Sequence, residues 1–370
     1  MLVVFALVLA GCGTEDKLDL PEGQGQIDAG QVAGQVLAVL SQRQEQQHDK
    51  YAIYYSPEEY DELLRSVTGS YSGIGIYIYA LGGEMDRTIY SVMKNGPAYE
   101  AGLLPGDKFV RVNDRDVTDM DTSALTELLT SNPAGTKLEI VVLRPEEGEK
   151  TFEVTTAVVD VPTLDWVMLD DKIGLIKIAS FNMTTGEQFA AAYEDLTNQG
   201  MQGLVLDLRN NGGGEITAAM KVCDYFVPKG ETLMYIYDAK EEYHYSAVEE
   251  AVDTPLVVLQ NGLSASASEI LIGAIKDNGA GITIGETSFG KGIVQDLRRL
   301  NSGAGLRFTS ARYATSHNND IHGCGIEPDI YFPMPEEADP LASYTMDPAE
   351  DPQLAKAVAV LAEKMQEQRD

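Results

Sequence analysis

Three hydroxyls and one lysine carry the most reactive chemistry this sequence offers. Ser264, Ser266 and Ser268 alternate with alanines in Asn261-Gly-Leu-Ser-Ala-Ser-Ala-Ser-Glu269, and Lys291 stands between Gly290 and Gly292. A serine hydroxyl attacks an amide only when a base takes its proton. Histidine is the usual base, but His48, His244, His317 and His322 fall in no triad pattern. A lysine can serve instead if it is neutral. Its ordinary pKa is about 10.4, so neutrality near pH 7 requires a drop of about three units, roughly 4 kcal/mol. Burial can supply a shift of that size. Two flanking glycines permit close approach, and Phe289 and Ile293 offer apolar surroundings.

Other readings of these residues are weaker. Gly285-x-x-x-x-Gly290-Lys291 approaches a phosphate-binding loop, but Gly292 stands where a Ser or Thr must hold magnesium. Ser288-Phe-Gly-Lys291 is an S-x-x-K string of the penicillin-binding type, without its companion K-T-G and S-D-N strings. A G-x-S-x-G elbow is absent.

The elements around the serines can be read from spacing. Pro255-Leu-Val-Val-Leu259 is an apolar run typical of a buried strand. Ile270, Leu271, Ala274 and Ile275 recur at helical spacing, with Asn278-Gly279 as the stop. The serines therefore sit where a strand turns into a helix, whose first N–H groups are unsatisfied and whose dipole end is positive. Upstream, Ile173–Ile178 reads as a strand, Glu187–Leu196 as a helix, and Gly203-Leu-Val-Leu-Asp-Leu-Arg-Asn-Asn-Gly-Gly-Gly214 as a strand running into a glycine turn. A helix follows from Glu215, and Gln353–Gln368 forms an amphipathic helical tail. Strands alternating with helices predict an α/β core. Residues 31–70 read as helical, with Ser56-Pro-Glu-Glu59 opening a helix by a cap, a proline and two acids.

Between these segments the pattern changes to short strands and turns. Ser72-Gly-Ile-Gly-Ile-Tyr-Ile-Tyr79 alternates, Asn95-Gly-Pro-Ala-Tyr-Glu-Ala-Gly-Leu-Leu-Pro-Gly-Asp107 follows, and a short helix at Ser123–Leu129 precedes a strand at Lys137–Leu143. The words G-P-A-x-x-A-G-L and P-G-D resemble a PDZ domain of the bacterial protease type, over residues 71–156. Such a domain takes a peptide C-terminus as an added strand, its carboxylate met by backbone N–H groups. Here the receiving loop is expected at Ser72, Gly73, Ile74, Gly75 and Ile76.

The chain has 370 residues, a formal charge of −31 and 44% hydrophobic residues, enough for a sizeable core and unsuited to nucleic acid. Met1–Ala10 is an apolar run too short to span a bilayer, which needs roughly 20 residues. Leu9-Ala-Gly-Cys12 resembles a bacterial lipobox, so Cys12 is the expected lipidation site. Residues 1–12 then form the leader and residues 13–30 a tether, which places the protein outside the bacterial cytoplasm, held to a membrane by a lipid. Cys223 and Cys324 remain, and spacing leaves open whether they pair. Self-association into a homo-oligomer is likewise left open.

Four words, L-D-L-R-N-N-G-G-G, N-G-L-S-A-S-A-S-E-I, G-E-T-S-F-G-K-G-x-V-Q and G-I-E-P-D, occur in this order between Leu206 and Asp329. Together with the PDZ-like insertion they resemble the carboxyl-terminal processing, or tail-specific, proteases. The resemblance implies a crotonase-like (ClpP/crotonase-type) core over residues 157–335, with a helical tail at 336–370 and no metal or organic cofactor. It implies Ser266 as nucleophile and Lys291, 25 residues on, as base. It further implies Gln295 as the residue orienting Lys291, with Gly212 and the N–H of Ala267 as the oxyanion hole. Glu269 matches an acid near the serine and is expected to act structurally, bonded to a backbone N–H. Ser264 and Ser268 are expected to cap the helix. Substrates would be proteins with apolar C-termini; an inert PDZ scaffold is the alternative. The sequence departs from the family at Thr315–Ile321, where a T-P-x-G-R-x-I string is usual, and at Cys324.

Overall fold

The computed structural model describes residues 49–78, 87–94, 96–238, 241–339 and 341–367. The leader through Cys12, the tether and residues 31–48 of the expected helical region lie outside them. The described chain from Tyr51 onward forms one compact unit. It opens with a strand, β1 (Ile53–Tyr55), inside the stretch expected to be helical, and continues into α1 (Pro57–Thr68). The helix starts where the sequence places it. The Ser56 N–H donates to Glu59 Oε2 (2.7 Å) and the Glu59 N–H to Ser56 Oγ (3.2 Å), a reciprocal cap that satisfies two otherwise orphaned donors.

The inserted module runs through β2 (Ser70–Gly73), β3 (Ile76–Ile78), β4 (Ile89–Val92), α2 (Pro97–Ala101), β5 (Lys108–Val112), β6 (Arg115–Asp116), α3 (Thr122–Thr130), β7 (Lys137–Arg144), β8 (Gly148–Thr155) and β9 (Ala157–Asp160). The alternating run from Ser72 is two strands rather than one, broken by a turn at Ile74-Gly75. Strand β9 returns to pair antiparallel with β2, so the module closes beyond the expected boundary at Thr156. Phe109, Leu125, Ile140 and Val154 centre its separate core.

The larger domain comprises β10 (Leu164–Met168), β11 (Ile173–Ile178), α4 (Thr185–Asn198), β12 (Gly203–Asp207), α5 (Ile216–Cys223), β13 (Thr232–Tyr237), β14 (Glu242–Ser246), β15 (Leu256–Gln260), α6 (Ala267–Asp277), β16 (Ile282–Gly285), β17 (Ile293–Arg299), β18 (Gly305–Ala314), β19 (Ile330–Tyr331) and α7 (Pro352–Glu367). Six strands form one sheet in the order β10-β11-β12-β15-β16-β19, parallel except for β10. Alternate residues face opposite sides, and both sides are dry. Leu204, Leu206, Leu256 and Val258 meet α4, α5 and α6, while Val205, Val257 and Leu259 meet Leu354, Ala357 and Leu361 of α7. This explains why these strands read as unbroken apolar runs rather than alternating ones. A second sheet packs beside the first. Its long strand β18 carries β17 along one side, with β1 and β13 on the other, and β13 carries β14.

The tail is part of this core. Arg209, just past β12, is fully buried and uses its whole guanidinium fork. It bonds Asp207 through Nε and Nη2 (2.9 and 2.7 Å), Asp351 through Nη1 and Nη2 (3.0 and 2.6 Å) and Gln353 through Nη1 (3.0 Å). Asp207 and Asp351 are buried as well. Such a cluster holds only if every partner remains, because a buried charge left alone is expensive. Among the described residues Cys223 and Cys324 are free thiols, one buried and one exposed.

Replacing Arg209 by Met is therefore expected to cost about 3–5 kcal/mol by stranding two buried carboxylates. Urea unfolding of the variant beside the parent measures this.

Candidate active site

Strands β12 and β15 pair in parallel from Leu204↔Leu256 to Asp207↔Leu259, so their C-terminal ends lie side by side. In a parallel sheet this end receives ligands. The chain leaves β12 through residues 208–214 and β15 through residues 261–266, and the two loops are stitched together. The Ala265 N–H donates to the Asn211 carbonyl (3.0 Å). Asn210 and Asn261 bond reciprocally, backbone N–H to Oδ1 (3.0 Å) and Nδ2 to Oδ1 (2.9 Å). The Ser264 hydroxyl donates to the Leu208 carbonyl (2.8 Å) and the Ser268 hydroxyl to the Asn211 carbonyl (2.9 Å). Ser264 and Ser268 are thus fasteners between loops rather than caps of the helix. They are buried, and their hydroxyls are committed.

Ser266 is itself the N-cap of α6. Its backbone sits at φ 57°, ψ −117°, a left-handed conformation costing an L-residue about 1–3 kcal/mol. The turn aims the serine out of the strand and leaves the first helical N–H groups in front of it. Gly213 lies directly against it: at φ 96°, a Cβ there would fall 2.5 Å from the Ala265 oxygen and 2.8 Å from the Ser266 Cβ. The glycine run therefore follows from how closely two backbones approach. Among the described residues neither the Gly212 nor the Ala267 N–H has a hydrogen-bond acceptor within the chain.

Glu269, one turn into α6 and fully buried, joins the serine to the lysine. Its Oε2 accepts the Ser266 N–H (2.9 Å) and the Lys291 N–H (2.8 Å); its Oε1 accepts the Gly290 N–H (2.7 Å) and the Ser288 hydroxyl (2.6 Å). One carboxylate oxygen thus holds both backbones, and their nitrogens are no farther apart than those two bonds allow. Ser288 also accepts the Ile326 N–H (2.8 Å), which makes it a buried strut. The lysine loop is fitted as closely as the serine turn. Gly290 has φ 87°, and a Cβ there would meet the Gly325 nitrogen at 2.8 Å. The Cys324 nitrogen (3.0 Å) and the Ile321 carbonyl oxygen (3.1 Å) lie almost as near, so residues 321–325 pack directly on the lysine's neighbours.

The Lys291 side chain is only partly buried and, among the described residues, has no hydrogen-bond or ion-pair partner. Burial lowers its pKa below the ordinary lysine value and the nearby Arg307 lowers it further, while Glu269 pulls the other way. The first two effects win. The backbone donors around Glu269 also occupy the lone pairs a lysine would otherwise seek.

Gln295, on β17, donates its Nε2 to the Tyr51 carbonyl (3.1 Å) and makes no hydrogen bond to Lys291 among the described residues. Sequence reasoning missed Tyr313, whose hydroxyl donates to the Ser266 carbonyl (3.0 Å). A tyrosine in an amphipathic strand reads as core, and no local pattern marks its hydroxyl.

In the inserted module, Ser72 and Gly73 belong to β2, Ile74 and Gly75 form the turn, and Ile76 opens β3. The Ser72 hydroxyl donates to the Asn132 carbonyl (2.5 Å) just past α3. Among the described residues the N–H groups of Ile74 and Gly75 have no acceptor, and β3 has β4 as its only strand partner.

Comparison with known proteins agrees with this geometry. The peptidase family S41 model matches residues 172–332 and a PDZ domain model residues 88–144. The chain is 32% identical over 292 residues to the carboxy-terminal processing protease CtpA of Bacillus subtilis (strain 168), covering 78% of this chain and 62% of that protein. It is 32% identical over 316 residues to a carboxyl-terminal-processing protease of Picosynechococcus sp. (strain ATCC 27264 / PCC 7002 / PR-6), covering 83% and 73%. Several curated relatives are matched over slightly less than two thirds of their length, among them a Synechocystis carboxyl-terminal-processing protease at 66%. The fold also matches a Bacteroides fragilis NCTC 9343 structure classed with the S41 proteases, with a TM-score of 0.50, 15% identity and 93% coverage of both chains. Parallel sheet, serine turn, lysine loop and inserted PDZ domain thus occur together with this level of identity, and the chain belongs to peptidase family S41, among the carboxyl-terminal-processing proteases.

Proposed function

We propose that this protein is a serine endopeptidase that cuts proteins near apolar C-termini with a Ser266–Lys291 dyad. The observation that carries the reading is the shared Glu269 oxygen, which ties the backbones of the strained serine and of a lysine whose pKa is lowered by burial. Neutral Lys291 takes the proton of the Ser266 hydroxyl as its oxygen attacks the scissile carbonyl. The resulting oxyanion is met by the N–H groups of Gly212 and Ala267, donors fixed before charge develops. The Lys291 ammonium then protonates the leaving amine. Water, deprotonated by the same lysine, releases the acyl group. In this reading Gln295 leaves the Tyr51 carbonyl to orient the lysine during turnover.

The PDZ domain supplies substrate. The open N–H groups of Ile74 and Gly75 meet the terminal carboxylate, and the peptide extends along β3 as a further strand. Cys12, outside the described residues, anchors the protein by lipid to the extracytoplasmic face of a bacterial membrane.

Measurements on the protein, its variants and its substrate test this. On an apolar-tailed peptide, Ser266→Ala and Lys291→Arg each reduce cleavage by roughly 10⁴-fold or more, because one lacks the nucleophile and the other a base able to deprotonate. Ser288→Ala still reacts with a fluorophosphonate; loss of labelling by that variant alone would move the nucleophile to Ser288. The rate rises with pH as Lys291 loses its proton, over a range below that of a free lysine. Arg307→Met moves this limb to higher pH, because removing a neighbouring cation lets the ammonium persist longer. Finally, amidating the peptide C-terminus raises KM by about tenfold or more while kcat stays within about twofold, since only the docking carboxylate is lost; an unchanged KM would remove the carboxylate from recognition.

A further inference from the structure

Tyr313 touches both halves of the site from the second sheet. Its side chain is buried among Ile236, Ile270 and their neighbours in the main core cluster. Its hydroxyl reaches the carbonyl of Ser266 (3.0 Å), and its own backbone N–H donates to the carbonyl of Gly292 (3.1 Å), the residue after the lysine. Around it β17 and β18 are in register, Ile293 opposite Arg312, so the second bond continues their ladder. A single residue thus bonds the backbone of the nucleophile through its side chain and the backbone beside the base through its main chain.

We infer that Tyr313 is a positioning residue that sets the separation of Ser266 and Lys291 and holds the strained serine turn in its attacking conformation. The inference rests on the dyad proposed above. Ser266 is left-handed, and its carbonyl is the group that must rotate if the turn relaxes. The Tyr313 hydroxyl clamps that carbonyl from the second sheet, on the oxygen that also accepts the Glu269 and Ile270 N–H groups of α6 (2.8 and 3.1 Å). Glu269 fixes the N–H side of the same residue. With both ends of Ser266 held, its hydroxyl can swing only about its own side-chain bond. Burial raises the Tyr313 pKa well above the ordinary tyrosine value, so its hydroxyl remains a donor through neutral and moderately alkaline conditions. Nothing in this arrangement places Tyr313 in contact with substrate.

The variant Tyr313→Phe keeps the ring in the core and removes only the clamp. Purified full-length protein is compared with the parent for peptide cleavage, for the rate and stoichiometry of fluorophosphonate labelling, and for thermal midpoint. Labelling stoichiometry counts competent sites, so turnover is expressed per site even in a partly folded preparation. The expected result is a fall of about tenfold in both kcat per site and labelling rate, with KM within about twofold. A lower thermal midpoint with kcat and labelling rate per site unchanged would overturn the inference, since it would make Tyr313 a packing residue. Tyr313→Met, a second hydroxyl-free side chain of adaptable shape, gives the same readouts if the Phe variant does not fold. If the parent neither cleaves nor labels, the dyad itself is wrong; if it does both and the hydroxyl-free variants match it, only the clamp is.

Discussion

A buried carboxylate with four donors holds this site together. Glu269 accepts from the backbones of Ser266, Gly290 and Lys291 and from the Ser288 hydroxyl, and each of its oxygens takes two of these bonds. Burying a carboxylate costs several kcal/mol unless its lone pairs are met. Here the donors that meet them are the very segments that must be brought together. Three of the four are main-chain N–H groups, which add no charge. Among the described residues the lysine side chain is left unpaired, and burial can depress its pKa despite an acid next door.

The two chemical groups come from different parts of the fold. The serine stands at the end of a parallel strand and the head of a helix, a position set by the first sheet. The lysine lies on the segment leading into β17, an edge strand of the second sheet. The seam between the sheets therefore sets their distance, and the residues crossing it are polar and buried: Glu269 and Ser288 from one direction, Tyr313 from the other. The glycines on either side of the seam are positions where backbone meets backbone. Gly213 against Ser266 and Gly290 against Gly325 leave no room for a Cβ.

The inserted domain is rooted next to the same loops. The Gly69 carbonyl, at the start of its stem, accepts the Val161 N–H (2.7 Å) at the end of it. The Val67 carbonyl accepts the Met183 N–H (3.0 Å), and two residues earlier the Phe181 N–H donates to the Gly213 carbonyl (3.0 Å). The segment 181–183 thus touches both the stem of the PDZ domain and the glycine run beneath the serine.

How much of this the residues alone could tell follows the range of each interaction. The start of α1 was legible, because a cap acts over three residues, Ser56 with Glu59. The buried strands at Ile173–Ile178 and Gly203–Asp207 were legible from their apolar runs, as was the strand-to-helix turn that carries the three serines; only the family resemblance singled out the middle one. The fold class and the family followed from four words in order. Tertiary structure decided where the side chains of those words point. It put the Gln295 amide on a carbonyl 244 residues away. It turned Ser264 and Ser268 into ties between loops, made Ile53–Tyr55 a strand of the second sheet, and drew the tail into the core through Arg209. Each of these bonds joins segments remote in sequence, and a bond of that kind depends on the register of strands that no local pattern encodes.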